Sequence, residues 1–317
     1  MVEWARSARI ETTPRAEPRA GGFDRLNHRV GVLAMAVVLA ACGAPDVVVP
    51  IAAAPDQVIA GPQGGRGQFA VECGFDRFLA DDPIVFPGQA GASHLHQFFG
   101  AHDVTATSTH DELVAGGTTC EQPADTASYW APVLLDAEHN PVEPLGAVAY
   151  YRAGVGVDHT VVESYPAGLM LVAGDHTATE PQPLSVVSWS CDAGALRQAT
   201  PPDCTQGTNL RLLITFQDCW DGEHLRTDDP DRPSTHATYS TAGECPPSHP
   251  VHIPQLQLAV DFPPLAPEGL ALSSGGILSG HADFWNAWHQ DKLDREVHVC
   301  LRGNLPCAIS GQRATIG

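Results

Sequence analysis

Leu210-Arg211-Leu212-Leu213-Ile214-Thr215-Phe216 and Leu256-Gln257-Leu258-Ala259-Val260-Asp261-Phe262 decide the fold class. In the first, Leu210, Leu212, Ile214 and Phe216 share one face at the two-residue period of an extended strand; the second repeats the pattern. Both read as half-buried strands. Residues 67–73, 146–151, 169–173, 184–191 and 296–300 are weaker strand candidates, and 27 Pro with 30 Gly supply the turns between them. Only residues 281–293 look helical, because His281, Trp285 and His289 fall at i, i+4 and i+8 with Phe284 and Trp288 as a neighbouring stripe. The expected fold is mainly β: an antiparallel, jelly-roll-like β-sandwich with long loops and one short C-terminal helix.

The chain of 317 residues is 43% hydrophobic and 17% charged, enough apolar material for a full core and too mixed for a disordered polymer or a polytopic membrane protein. Its formal charge is -20, and no basic cluster is dense enough to meet a phosphate backbone, so nucleic acid is excluded as a partner.

Residues 30–41 are the only long apolar stretch, too short to span a bilayer but suited to the core of a signal peptide. Arg25, His28 and Arg29 precede it, and it ends in Leu39-Ala40-Ala41-Cys42-Gly43, the pattern of a bacterial lipobox whose cysteine becomes the lipidated mature N-terminus. Residues 1–24 lie too far upstream for a normal basic region, which suggests that translation starts nearer residues 25–30. The expected organisation is a signal region over 1–41, lipidated Cys42 and a Pro/Ala/Gly-rich tether over 42–66, one folded domain over 67–309, and a tail over 310–317. Localisation follows as extracytoplasmic, on the outer face of the cell membrane.

Beyond Cys42, the cysteines are Cys73, Cys120, Cys191, Cys204, Cys219, Cys245, Cys300 and Cys307. An even set in an exported chain implies four disulfides, of which the sequence does not fix the pairing; structural zinc usually needs closer pairs such as C-x-x-C.

The chemistry rests on scattered His, Asp and aromatic residues. His94 and His96 form an H-x-H that would point to one face of a strand, the geometry by which two imidazoles share a metal or flank a ligand. His236 and His281 lie in further polar clusters. Asp82, Asp221 and Asp283 could orient a histidine, ligate a metal or act as acid or base, but Asp82 before Pro83 and Asp221 before Gly222 read first as turn residues, and Asp283 could simply favour a helix N-terminus. Tyr129, Trp220 and Trp285 adjoin these motifs as candidate stacking surfaces for sugar rings. There is no G-x-S-x-G, H-E-x-x-H, Walker loop or dinucleotide fingerprint.

Seven motifs occur in order: residues 81–88 (DDPIVFPG), 93–100 (SHLHQFFG), 125–132 (DTASYWAP), 168–174 (GLMLVAG), 219–222 (CWDG), 245–256 (CPPSHPVHIPQL) and 281–288 (HADFWNAW). In them the chain resembles the secreted DUF1996 family. The resemblance implies an extracellular protein of the kind found in fungi and actinobacteria, where some members carry carbohydrate-binding WSC or lectin-like modules. It implies no activity. Gly117 stands where the family often has a cysteine, and Ala287-Trp288-His289 where it often has Gly-Trp-Asp.

Three functions are compatible with this reading. The first is a cleft of His94, His96, Asp221, His236, His281 and Asp283, with Tyr129, Trp220 and Trp285 as binding surfaces, that binds or cleaves a cell-envelope or environmental polysaccharide. If it cleaves, the protein is a carbohydrate-active hydrolase or lyase. The second is a noncatalytic lipoprotein holding a divalent transition metal at the His cluster, and the third is a structural envelope component. Lipid attachment at Cys42 is checked directly: Cys42→Ser should abolish membrane retention in detergent phase partitioning, and unchanged retention would refute the lipobox.

Overall fold

The computed structural model describes residues 67–309 apart from 194 and 228–233, so the signal region, Cys42, the tether and the tail lie outside the described residues. The strands are β1 (Gln68–Cys73), β2 (Phe75–Leu79), β3 (His96–Gly100), β4 (Ser128–Pro132), β5 (Leu134–Leu135), β6 (Gly146–Arg152), β7 (Met170–Gly174) and β8 (Val187–Cys191). They continue as β9 (Leu210–Thr215), β10 (Cys219–Trp220), β11 (Ala237–Thr238), β12 (Val251–His252), β13 (Gln255–Phe262), β14 (Ala271–Leu272), β15 (His281–Trp285) and β16 (Pro306–Ile309). There are two short α-helices, α1 (His110–Ala115) and α2 (Gln290–Glu296), and a 3-10 turn at His159–Val161.

The protein is mainly β, with a six-stranded sheet in the order β16-β1-β6-β13-β9-β8 and a five-stranded sheet in the order β2-β3-β4-β15-β7. Pairing is antiparallel throughout both, except that β1 and β16 run parallel. The alternation in β9 and β13 works as expected: Leu210, Leu212, Ile214, Leu256, Leu258, Val260 and Phe262 all enter one core. That core also takes Phe99, Tyr129, Ala131, Leu171, Ala173, Ala282 and Phe284 from the five-stranded sheet, so the two sheets pack face to face. Phe284 sits among Tyr129, Tyr151, Tyr165 and Phe216, with ring centroids 5.3–6.5 Å away.

The second face of the five-stranded sheet is buried too. Phe98, Trp130, Val172, Met170 and Trp285 point outward from the sandwich and pack with Ile84 from the segment before β3 and with Val104 and Leu113 from the segment after it. That covering segment is held down by Asp81, whose carboxylate accepts from the Gly91 N–H at 2.7 Å and the Ala106 N–H at 2.8 Å.

Two sequence expectations are corrected. Residues 281–285 form a strand, and the helix begins only at Gln290. All five strand residues are buried, so hydrophobicity does not alternate, and a strand covered on both faces shows no period of two for a sequence to reveal. Residues 296–300 are not a strand: α2 continues into a π-helical turn, Val297–Arg302, whose Val297, Cys300 and Leu301 are buried at helical spacing after Leu293.

The eight domain cysteines form four bridges, Cys73–Cys120, Cys191–Cys204, Cys219–Cys245 and Cys300–Cys307. Three of them link residues close in sequence and pin loops locally, while Cys73–Cys120 ties the end of β1 to the chain leaving α1. Peptide mapping of the unreduced protein under alkylating conditions should return these four pairs and no alkylated cysteine from residues 67–309; any other pairing would contradict the fold.

Candidate metal centre

Ladder register fixes what meets what on the covered face. Along β15, His281, Asp283 and Trp285 alternate to the outer side, and across the sheet Trp130 stands opposite Asp283 and Phe98. His96 begins β3 on the same side, and His94 lies in its extended lead-in. Pro132 is the only ladder residue between His96 and β15, and the two histidine rings reach over it to a centroid distance of 5.8 Å. His94 completes the cluster, 4.2 Å from the His96 ring and 4.9 Å from the His281 ring. Gly174, the ladder partner of His281, has φ 87°, and a Cβ there would come within 2.4 Å of the Gly280 carbonyl oxygen. Only glycine lets β7 end this close to His281.

Two backbone carbonyls set the tautomers. His96 Nδ1 donates to the Asp81 carbonyl at 3.0 Å and His281 Nδ1 to the Ser279 carbonyl at 2.9 Å. A carbonyl only accepts, so in each neutral ring the proton is on Nδ1 and the lone pair on Nε2. The His281 Nε2 lies 3.1 Å from His94 Nε2, and His96 Nε2 is buried with no hydrogen-bond partner. One ligand atom from each of the three rings lies within 4.8 Å of the others. Burial lowers all three imidazoles: His94 to about 4 with His176 adding, His281 to about 3, and His96 well below the usual range with His94 and His281 adding. Neutral imidazole is the form that binds a metal.

Asp82 and Asp283 form a second group with His96, one ligand atom of each lying within 4.8 Å of the others. Asp82 does make the turn read from the sequence, its Oδ1 accepting from the Ile84 and Val85 N–H groups at 2.9 Å each. The same side chain is 4% exposed and faces the site, a second role that the Asp-Pro signal hid. Burial raises Asp82 to about 6 against those two hydrogen bonds, and raises Asp283 well above the carboxylate range, with Asp82 adding. His176, exposed and 5.9 Å from the His281 ring, is a further neighbour that no sequence motif marked.

Of the six proposed cleft residues, His94, His96, His281 and Asp283 therefore come together, and Asp221 and His236 do not. His236 donates from Nε2 to the Met170 carbonyl at 2.7 Å. Met170 is the ladder partner of Trp285, four residues along β7 from the Gly174 that pairs with His281, which is about 14 Å at strand rise. Asp221 belongs to that far end, accepting from the His224 and Glu223 N–H groups and pairing with His224 Nδ1 at 2.7 Å. Asp221 is satisfied within its own loop, whereas His236 is held to β7 by Nε2 and keeps a buried Nδ1 without a partner.

The stacking residues are corrected in part. Tyr129 is fully buried in the core between the sheets, where its hydroxyl donates to Asp125 at 2.8 Å and contacts the Tyr151 hydroxyl; a ring there meets no ligand. Trp285 is 4% exposed and packs under the covering segment, lining one wall of a hollow of about 570 Å³ with Met170, His224 and Leu225. Trp220 is half-buried, and its Nε1 donates to the His224 carbonyl at 2.7 Å. The other groups of sulfur with His, Asp or Glu consist of disulfide cysteines, which have no thiolate to offer.

The lowered histidines make a pH test. Their folded pKa values lie below the unfolded 6.5, so stability from them is complete above pH 6.5 and falls as pH drops toward 4 and 3. Asp82, raised from 3.8 to about 6, acts in the opposite sense as pH rises between those values. Long-range nitrogen–proton NMR of the metal-free protein should find His94 and His281 neutral at pH 5; a midpoint near 6.5 for either would refute the buried cluster.

A family model described as a domain of unknown function, DUF1996, matches residues 82–288. No curated protein and no solved structure matches the chain. The matched span runs from the turn carboxylate beside His96 to the tryptophan after β15, takes in every member of the His and Asp cluster, and covers well over half of the sequence; the chain belongs to the DUF1996 family.

Proposed function

We propose that this chain is an exported, lipid-anchored protein whose domain holds a divalent transition-metal ion at His94, His96 and His281. The observation that carries the reading is the convergence of three imidazoles, two of which have their lone pairs turned to Nε2 by a backbone carbonyl. In a tetrahedral set with zinc–nitrogen bonds of 2.0–2.1 Å, ligand nitrogens stand roughly 3.3 Å apart. The His94 and His281 Nε2 atoms are 3.1 Å apart. Without an ion, His94 must donate its Nε2 proton to the His281 lone pair, and the buried His96 Nε2 is left with nothing, which buried polar groups avoid. Imidazole ligands suit zinc, copper, nickel and cobalt. His94 is the half-exposed member, so an ion enters from its side.

Export is supported by the four disulfides, which form and persist in oxidising compartments, and lipid attachment by the lipobox at Cys42. The glycan reading has less support, because two of its three aromatic surfaces are closed off and Asp221 and His236 stand apart.

The protein should take up one zinc or cobalt ion per chain in equilibrium dialysis with metal analysis. His94→Ala and His281→Ala should each weaken uptake more than about 100-fold, beyond the usual loss for a residue that only supports a ligand. His236→Ala should bind as the parent does. Equal losses at His236 and His281, or no stoichiometric uptake by the parent, would refute the centre.

A further inference from the structure

The four bridges stand in different surroundings, and the differences bear on how easily each is reduced. A disulfide opens more readily where a neighbouring donor stabilises the thiolates it leaves, and less readily where they are buried or meet carbonyls and carboxylates. Cys73 and Cys120 are buried, with the Asp125 carboxyl as the third member of their group. At Cys191–Cys204 the sulfurs meet carbonyls, that of Asp203 at 3.6 Å from Cys191 and those of Pro202 and Ser190 at 3.7 and 3.9 Å from Cys204. Cys300 has the Glu296 carboxylate 3.1 Å from its sulfur. Cys219–Cys245 differs. Strands β10 and β12 pair so that His252 stands opposite Cys219, and its Nδ1 lies 3.2 Å from Cys245 Sγ. A disulfide sulfur has no proton to give, so in that contact the imidazole N–H is the donor. Cys219 Sγ belongs to the same group, with the ligand atoms of the three residues within 4.8 Å of one another. The Asp218 carbonyl, 3.9 Å from Cys245 Sγ, is a more distant neighbour. Among the described residues, this is the bridge that has a side-chain donor at hydrogen-bond distance from a sulfur.

We infer that Cys219–Cys245 is a thiol–disulfide exchange site, opened selectively by an external dithiol, with His252 as the group that stabilises the released thiolates. The inference is independent of the metal reading. Cys219 is fully buried and Cys245 half-buried, so an incoming thiolate meets Cys245. One thiolate of the dithiol attacks Cys245 Sγ, and as the new S–S bond forms, the bond to Cys219 breaks and its electron pair leaves on Cys219 Sγ. The second sulfur of the dithiol then displaces Cys245 Sγ as a thiolate beside His252. The dithiol loses two electrons and closes to a disulfide, the bridge gains them, and the two protons of the dithiol pass to the two cysteines. Opening reaches the sheet that carries the histidines. Between the two cysteines lie Leu225, whose carbonyl takes the Met170 N–H at 2.7 Å, and Ser234, whose hydroxyl takes the Val172 N–H at 2.6 Å. The segment that the bridge closes therefore holds the edge of β7.

The test equilibrates the full, metal-free chain with graded ratios of reduced to oxidised dithiothreitol, quenches by alkylation and maps the cysteines by mass spectrometry. Cys219–Cys245 should be half reduced at a ratio about tenfold or more below that of any other bridge, which for two electrons is about 30 mV. His252→Val, which removes the donor, should need a ratio about tenfold above the parent's to open the same bridge, again about 30 mV. His252→Asn, whose amide donates from near the place of Nδ1, should fall between the two. The order of opening in the unmutated chain is a test in itself should a variant misfold. Another bridge opening first, all four opening together, parent-like reduction of His252→Val, or identical shifts in the Val and Asn variants would each overturn the site. In the chain reduced and alkylated at this bridge alone, the Met170 and Val172 amides should exchange hydrogen for deuterium several-fold faster than in the oxidised chain. Unchanged exchange there would overturn the link to β7.

Discussion

The five-stranded sheet has both faces buried, by different means, and the site depends on that. One face meets the six-stranded sheet through a dry core around Phe284. The other is covered by a loop segment with little regular structure, and Asp81 holds that segment in place with three acceptor atoms: two carboxylate oxygens take N–H groups from Gly91 and Ala106, and its carbonyl takes the His96 Nδ1–H. The residue that fastens the cover thus also fixes the tautomer of the central histidine. Burial is what keeps the imidazoles neutral and lowers the local dielectric around the carboxylates, so loosening the cover would alter the chemistry of the cluster as well as the packing.

Legibility in the sequence followed burial symmetry. Strands β9 and β13 carry Arg211, Thr215, Gln257 and Asp261 on the face away from the core, which gives the alternation, and their boundaries agree with the sequence reading to within about a residue. Strand β15 is closed on both sides, and its run of His, Ala, Asp, Phe and Trp imitated a helix at i, i+4. The misreading mattered for the site, because a helix would have turned Asp283 away from His281, whereas a strand puts them on one face two residues apart. Helix α1 carried a signal that went unread: Thr109 and Glu112 form a capping box, with the Thr109 side chain accepting from the Glu112 N–H and the Glu112 carboxylate accepting from the Thr109 N–H.

The site itself was half legible. H-x-H and the His281-to-Asp283 spacing are local patterns, and local patterns on extended chain say which side chains share a face. They do not say which strands become neighbours. Asp221 and His236 look equivalent to the others as polar residues among apolar ones, yet Asp221 is bound by its own loop at His224, and His236 is tied by Nε2 to the Met170 carbonyl at the far end of β7. Tyr129 looked like a surface aromatic beside Trp130, but its hydroxyl is a core hydrogen-bond donor in a buried chain that runs from Asp125 through Tyr151 to Trp288. The Asp81 and Ser279 carbonyls that aim the imidazoles are backbone groups, and no residue type announces them.

Strand β1 is paired on both sides, antiparallel to β6 over six residues and parallel to β16, and Cys73 at its far end is bonded to Cys120. The chain therefore enters the domain at Gln68, inside a sheet rather than at its rim. A pull on the segment preceding Gln68 runs along the strand axis, so the ladder bonds to both neighbours share the load in shear and must yield together, where a rim hairpin would peel one bond at a time. The Cys73 bridge stops β1 from sliding out even after those bonds fail. A load on the leading segment is thus taken first by the six-stranded sheet, and reaches the sheet that carries the histidines only through Cys73 and the turn into β2.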